Sequence, residues 1–210
     1  MDKPVIIFGA GSLGKAALEV LNKNNIIVYC FLDDREELHG TEINDISVLG
    51  ATDDDGYLKY IGKKCEAFIA EEENTIRKGL VKLLKERRKV MPINLIHPET
   101  SISEHAEMGH GNFLNAKVTL GTSVSIGNHC IFNTNSTIDH LVKIGDFVQI
   151  GAGSVLGTGV EVANDVFIGT GAVIVPGVKI GKGARIGAGS VVVGNVEKGQ
   201  TVFGNPAKPV

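Results

Sequence analysis

Six histidines punctuate the chain, and one of them departs from its surroundings in a way that points to proton chemistry. From Ile96 to Val192 the sequence repeats in sixes. His140 falls where most repeats carry a small turn residue, and Asp139 before it stands where many repeats have Gly. Two consecutive breaches of a local rule mark function more often than decoration. A neutral imidazole accepts protons near neutral pH, so His140 reads as a general base for an attacking amine or hydroxyl. His39 lies in a loop and His97, His105, His110 and His129 sit near turns, where exposure or packing explains them.

A second stretch has the pattern of an anion site. The apolar run Val5 to Phe8 closes on Gly9-Ala10-Gly11-Ser12-Leu13-Gly14, followed by a helical pattern through Ala17, Leu18, Val20 and Leu21. This is G-x-G-x-x-G between a strand and a helix, with the acids Asp33-Asp34 closing a second strand, Ile26 to Leu32, about twenty residues further on. Glycines let backbone approach a phosphate, and the helix start offers unpaired N–H groups. The same turn also serves simply to pack a helix on a sheet. Only about ninety residues precede the repeats, enough for one mononucleotide half, which favours a nucleotide or nucleotide-sugar over a nicotinamide dinucleotide.

The repeats must position the first site. One residue in every six is apolar, among them Ile126, Phe132, Ile138, Ile144, Ile150, Leu156 and Val162, and no insertion breaks the phase. Neither a helix nor an alternating strand has that period. Hexapeptide repeats of this kind form a β-helix in which three short strands make one triangular coil. The aliphatic points inward, a short residue four later fits the wall, and the Gly that often follows the aliphatic is expected to supply turn conformations a Cβ would penalise. Residues eighteen apart stack on neighbouring coils, which puts Thr158 above His140 and Asn133 above Asn115.

The remaining segments are plainer. Residues 35–56 read as a loop punctuated by acids and Gly, Ala67 to Ala70 as a third strand, and Glu71-Glu72-Glu73-Asn74 as the opening of a helix that ends at Arg87-Arg88-Lys89. Those charges match the helix dipole and form a solvated face. Ile93 to Ile96 is a last strand, and His97-Pro98 turns into the first coil. A net charge of −3 gives no reason to expect nucleic acid as a partner. Three scattered cysteines, Cys30, Cys65 and Cys130, suit neither a disulfide framework nor a metal knuckle. Met1-Asp2-Lys3-Pro4 leads straight into the first strand with no signal-peptide or membrane-span pattern, so the expected location is cytoplasmic.

With Gly9-Ala10-Gly11, Phe31-Leu32-Asp33-Asp34, Asn94-Leu95-Ile96-His97-Pro98, Asn133-Thr134, Asp139-His140 and Phe203-Gly204-Asn205-Pro206-Ala207-Lys208, the whole chain resembles the sugar acetyltransferases of bacterial surface-glycan synthesis, the PglD, PerB and NeuD type. The resemblance implies a half-Rossmann βαβ domain over 1–95 and a left-handed parallel β-helix of hexapeptide repeats over 96–210. It also implies a homotrimer, acetyl-CoA as acyl donor, and the amine of a nucleotide-linked 4-amino-dideoxy sugar as acceptor.

By the same resemblance His140 is the catalytic base. Relatives often have a carboxylate directly after it, where this chain has Leu141, so Asp139 and then Asn133 are the candidates to orient it. A backbone N–H near Gly157 or Thr158 is the oxyanion donor read from the period. The CoA groove maps to Gln149, Thr170 and Ala188, with Lys179, Lys182 and Arg185 as phosphate partners. The nucleotide maps to Gly9, Gly11, Ser12, Asp33, Asp34 and the loop at Glu72. Because Glu71-Glu72-Glu73 departs from the Gly-Asn of relatives, O-acetylation of a sialic acid stays open as an alternative. Two other classes remain. A non-catalytic nucleotide-binding scaffold is one, and a carbonic-anhydrase-like interface metal the other, although His105 and His110 have no third His in register. No metal is expected.

Overall fold

The computed structural model describes residues 3–210; Met1 and Asp2, at the head of the segment read as leaderless, lie outside them. The chain divides into two compact units, Met1–Leu95 and Ile96–Val210.

The first unit is a five-stranded sheet in the order β3-β4-β2-β1-β5. Its strands are β1 (Val5–Phe8), β2 (Val28–Leu32), β3 (Glu42–Ile43), β4 (Ile46–Gly50) and β5 (Glu66–Ile69), with helices α1 (Ser12–Lys23), α2 (Asp55–Leu58) and α3 (Asn74–Arg88). β1 runs parallel to both β2 and β5, as an uninterrupted apolar strand buried on both faces should. α1 buries Leu13, Ala17, Leu18, Val20 and Leu21, the face its spacing foretold. Glu73 caps α3 by accepting from the Ile76 N–H at 2.8 Å, and Lys89 ends it in the left-handed region.

Residues 35–56 are more ordered than a loop. β3 and β4 form an antiparallel hairpin whose turn residues, Asn44 and Asp45, have φ of 47° and 65°. Two left-handed central residues are what a two-residue hairpin of the favoured twist requires, and Asn and Asp tolerate that region best after Gly. α2 follows at once. The strand read third in sequence is therefore the fifth, and it lies beside β1.

In the second unit, two-residue strands recur every six residues as far as Val191–Val192 and build three parallel sheets in which these strands pair at a spacing of eighteen residues. The first face carries Thr119–Leu120, Thr137–Ile138, Val155–Leu156, Val173–Ile174 and Val191–Val192. The second carries Ser125–Ile126, Lys143–Ile144, Glu161–Val162 and Lys179–Ile180, and the third Ile131–Phe132, Gln149–Ile150, Phe167–Ile168 and Arg185–Ile186. The second residue of each of these pairs points inward and is buried, as are Val124, Val142, Val148, Val160 and Val166 at the corners.

The glycines do a different job from the expected one. Those that follow the aliphatics are not left-handed; the left-handed position comes two residues later, at Leu141 (φ 62°), Phe147 and Gly153 among others. Gly151 and Gly169 are instead required by close approach. A Cβ on Gly151 would lie 2.4 Å from the Thr170 nitrogen, and one on Gly169 2.6 Å from the Ala188 nitrogen. Absence of a side chain lets the next coil settle on the one below.

Candidate active site

Asp139 and His140 lie in the turn joining the first face to the second, immediately before the left-handed Leu141. The Asp139 carboxylate is held from three directions. Its Oδ1 accepts from the His140 backbone N–H at 2.8 Å and meets His140 Nδ1 at 2.7 Å. Its Oδ2 accepts from the Thr158 hydroxyl, one coil on, at 2.7 Å. The Thr158 donor, then the His140 backbone and ring, hold this carboxyl at about 2. It is therefore ionised and can only accept. Nδ1 must then carry the ring proton, which leaves Nε2 of the neutral ring with a free lone pair on a half-exposed side chain.

The other expected residues fall elsewhere on the prism. Asn133 lies in the turn between the third and first faces, where its Nδ2 donates to the Ile150 carbonyl at 3.3 Å, so of the two orienting candidates it is Asp139 that meets the His140 ring. Thr170 and Ala188 share that third-to-first corner, both exposed. Gln149 is half-buried on the third face, in register with Ile131 and Phe167. Arg185 stacks over the Phe167 ring at 4.7 Å. Lys182 lies 3.9 Å from Asp165, and Lys179 3.1 Å from Glu161. The Gly157 N–H donates to the Ile174 carbonyl, which removes it as an oxyanion donor. Among the described residues, no group of three His, Cys, Asp or Glu side chains could hold a metal ion.

The glycine turn lines a cavity of about 350 Å³ with Asp33, Asp34, Arg35, Thr52, Glu71 and Glu72. Gly9 is left-handed at φ 104°, and a Cβ there would lie 2.6 Å from the Ala70 carbonyl oxygen. Gly11 caps the start of α1 and Ser12 is its first residue. Asp33, to which the nucleotide maps, has its acceptor positions taken up within the chain. Its Oδ1 accepts from the Arg35 backbone N–H and Nε, and its Oδ2 from the Ala10 N–H and Arg35 Nη2, at 2.7–3.0 Å. A carboxylate with four donors has no acceptor site left for a base. Asp33 instead fixes Arg35 at the mouth of the turn. Asp34 uses Oδ1 for the Thr52 N–H and hydroxyl, each at 2.8 Å.

Sequence reasoning missed two arginines. Arg35 adds a cation to a cavity whose other charged lining residues are acids. Arg77, buried on α3, donates to the carbonyls of Glu71 (2.6 Å) and Glu72 (3.0 Å) and to Asn74 Oδ1, pinning the backbone of the acidic loop. Both act on partners within six residues of themselves, in segments with no polar period that would single them out.

The Asp33 pair has a pH consequence. Arg35 above all, with the Ala10 and Arg35 N–H groups, holds this carboxyl at about 2 against the opposing effect of burial. The unfolded chain protonates it near about 3.9, so its stabilisation is in place above that pH and is lost as pH falls toward the folded value. We expect Asp33→Asn to lower Tm at neutral pH and to flatten the fall of Tm with acid below about pH 4. A variant whose acid profile overlays the wild type would show that the pair contributes nothing there.

No helix among the described residues is long and apolar enough to cross a membrane. Two family models match: bacterial transferase hexapeptide (six repeats) over residues 141–175 and 159–194, and C2185-like, N-terminal, over residues 1–60. No curated protein matches the chain. Among solved structures, the acetyltransferase domain of PglB from Neisseria gonorrhoeae FA1090 is 30% identical with a TM-score of 0.91, over 100% of both chains. WeeI from Acinetobacter baumannii AYE is 30% identical with a TM-score of 0.85, over 99% of both. A histidine-to-alanine variant of GDP-perosamine N-acetyltransferase from Caulobacter crescentus, in complex with CoA and GDP-perosamine, is 28% identical with a TM-score of 0.91, over 100% of this chain and 98% of that one. A three-faced coil of hexapeptides, a glycine turn on a parallel sheet and likeness along the full length agree, and the chain belongs to the hexapeptide-repeat sugar acetyltransferases, with acetyl-CoA as its acyl donor.

Proposed function

We propose that the protein transfers the acetyl group of acetyl-CoA to the amine of a nucleotide-diphosphate-linked 4-amino-dideoxy sugar, with His140 as general base, in the cytoplasm. The observation that carries this is the 2.7 Å contact of Asp139 with Nδ1, which leaves the Nε2 lone pair for the acceptor. A neutral amine attacks the thioester carbonyl while Nε2 takes its proton. The N–C bond forms, the carbonyl oxygen becomes an oxyanion that the Thr158 backbone N–H can meet, and the C–S bond then breaks. The leaving thiolate takes the proton back from His140, so the base is regenerated. In the first unit, the start of α1 and Arg35 offer positive charge to the diphosphate, Asp34 offers an acceptor to the base, and the Glu71-Glu72 carboxylates turn from the phosphates.

The site needs a second copy of the chain. His140 stands on one edge of the first face, and the groove positions Thr170 and Ala188 stand on its other edge. Three left-handed coils packed with their first faces around a threefold axis bring His140 of one against Thr170, Ala188 and Asn133 of the next. The outward residues suit this. The first face presents Thr137, Val155, Val173 and Val191, whereas the second presents the charged ladder Lys143, Glu161 and Lys179. A homotrimer with three interface sites follows, and CoA lies along each corner near Gln149, Lys182 and Arg185.

The test is a screen of GDP-, UDP- and dTDP-linked 4-amino sugars, CMP-sialate and free sialic acid, by thermal shift with and without CoA and by acetyl transfer from acetyl-CoA. We expect a diphosphate-linked amino sugar both to stabilise the protein and to be N-acetylated. Acetylation of only the sialic acid hydroxyl would replace this reading with the O-acetyltransferase one, and binding without any transfer would make the protein a scaffold.

A further inference from the structure

Thr158 lies in register above His140, and its hydroxyl does two things that its backbone cannot. It donates to Asp139 Oδ2 at 2.7 Å, and its oxygen lies 3.3 Å from His140 Nε2. A hydroxyl has one proton, and the ionised carboxylate at the shorter distance takes it. The oxygen therefore presents lone pairs toward Nε2. Against the neutral ring, whose Nε2 is also a lone pair, it makes no hydrogen bond. Once Nε2 has accepted a proton, the same oxygen becomes its acceptor.

We propose that the Thr158 hydroxyl is a positioning residue for the base: it locks the carboxylate that orients His140 and offers an acceptor that the imidazolium alone can use. The inference rests on His140 acting as base. It also accounts for how this chain manages with Leu141 directly after the histidine, since Asp139, the carboxylate on the other side, is tied down by a donor from the neighbouring coil. An interaction made only after the proton moves favours the transition state over the ground state, so it raises turnover rather than substrate binding. No covalent step involves the threonine.

Thr158→Val keeps the shape and the backbone N–H but removes the hydroxyl; Thr158→Ser keeps the hydroxyl. With acetyl-CoA and GDP-perosamine as probes, we expect Thr158→Val to lose about tenfold in kcat with the KM for acetyl-CoA within about twofold, and Thr158→Ser to recover most of it. Asp139→Asn should lose about ten- to a hundredfold, and Thr158→Val should cost less beside it than alone, because the hydroxyl turns its lone pairs to Nε2 only while the ionised carboxylate holds its proton. In acceptor-free protein, ¹⁵N NMR of the neutral ring should show the Nδ1–H tautomer in the wild type and Thr158→Ser, and a mixture in Thr158→Val. An unchanged tautomer in Thr158→Val, an undiminished cost of that change beside Asp139→Asn, or Thr158→Ser as impaired as Thr158→Val would each overturn the proposal. If His140→Ala retains full activity, the base assignment itself fails; if His140→Ala is inactive and Thr158→Val is normal, only the threonine's role fails.

Discussion

His140→Ala is expected to lose on the order of a hundred- to ten-thousand-fold in turnover while its oligomeric state and its affinity for CoA stay those of the wild type. The imidazole is half-exposed, and its ring nitrogens face Asp139 and Thr158, both polar, so its removal opens no cavity in the core. The Thr170 and Ala188 positions lie in the turns from the third face to the first, whereas His140 lies in a turn from the first to the second. The loss should therefore fall on kcat, and the rise of rate with pH that an imidazole base confers should vanish. Steady-state kinetics from about pH 6 to about pH 9, beside CoA titration and light scattering, check this. Wild-type rates across that range would make His140 a surface residue.

Val155→Arg with Val173→Arg is expected to give a folded monomer with transfer reduced on the order of a hundredfold or more. Both side chains point out of the first face and are more than a third exposed in the single chain, at 39% and 38%. They pack nothing inside the prism, so folding should survive. In the proposed trimer the same positions would meet their copies, and three arginines brought together at each level would repel one another in a desolvated seam. The base and the groove residues would then sit on separate molecules with nothing to align them. Light scattering at micromolar concentration and circular dichroism distinguish the outcomes. A variant that remains trimeric and active would show that another face makes the contact.

Much of the second unit was legible because one inward aliphatic per short strand is a strict requirement that leaves a strict period, and stacking at eighteen residues follows from it. His140 and Asp139 stood out for the same reason, as polar breaches of a pattern with few exceptions. The Asn44-Asp45 hairpin was missed although its turn chemistry was present, because two- and five-residue strands are too short for alternation to show. The purpose of the glycines was misjudged, since a period marks where a side chain is forbidden and not whether torsion or a neighbouring coil forbids it.

What the sequence by itself determined is the three-faced coil, its phase, the glycine turn on a parallel sheet and the Asp139-His140 pair as a breach of the repeat. Those depend on side-chain size and burial, which repeat along the chain. Tertiary structure alone decided that the Thr158 hydroxyl turns to Asp139, that Asp33 is filled by Arg35 and Ala10, and that the Asn133 amide turns to the Ile150 carbonyl. Each of these is a hydrogen bond chosen among several within reach, and the choice is set by side-chain direction, proton count and competing donors, none of which a linear spacing encodes.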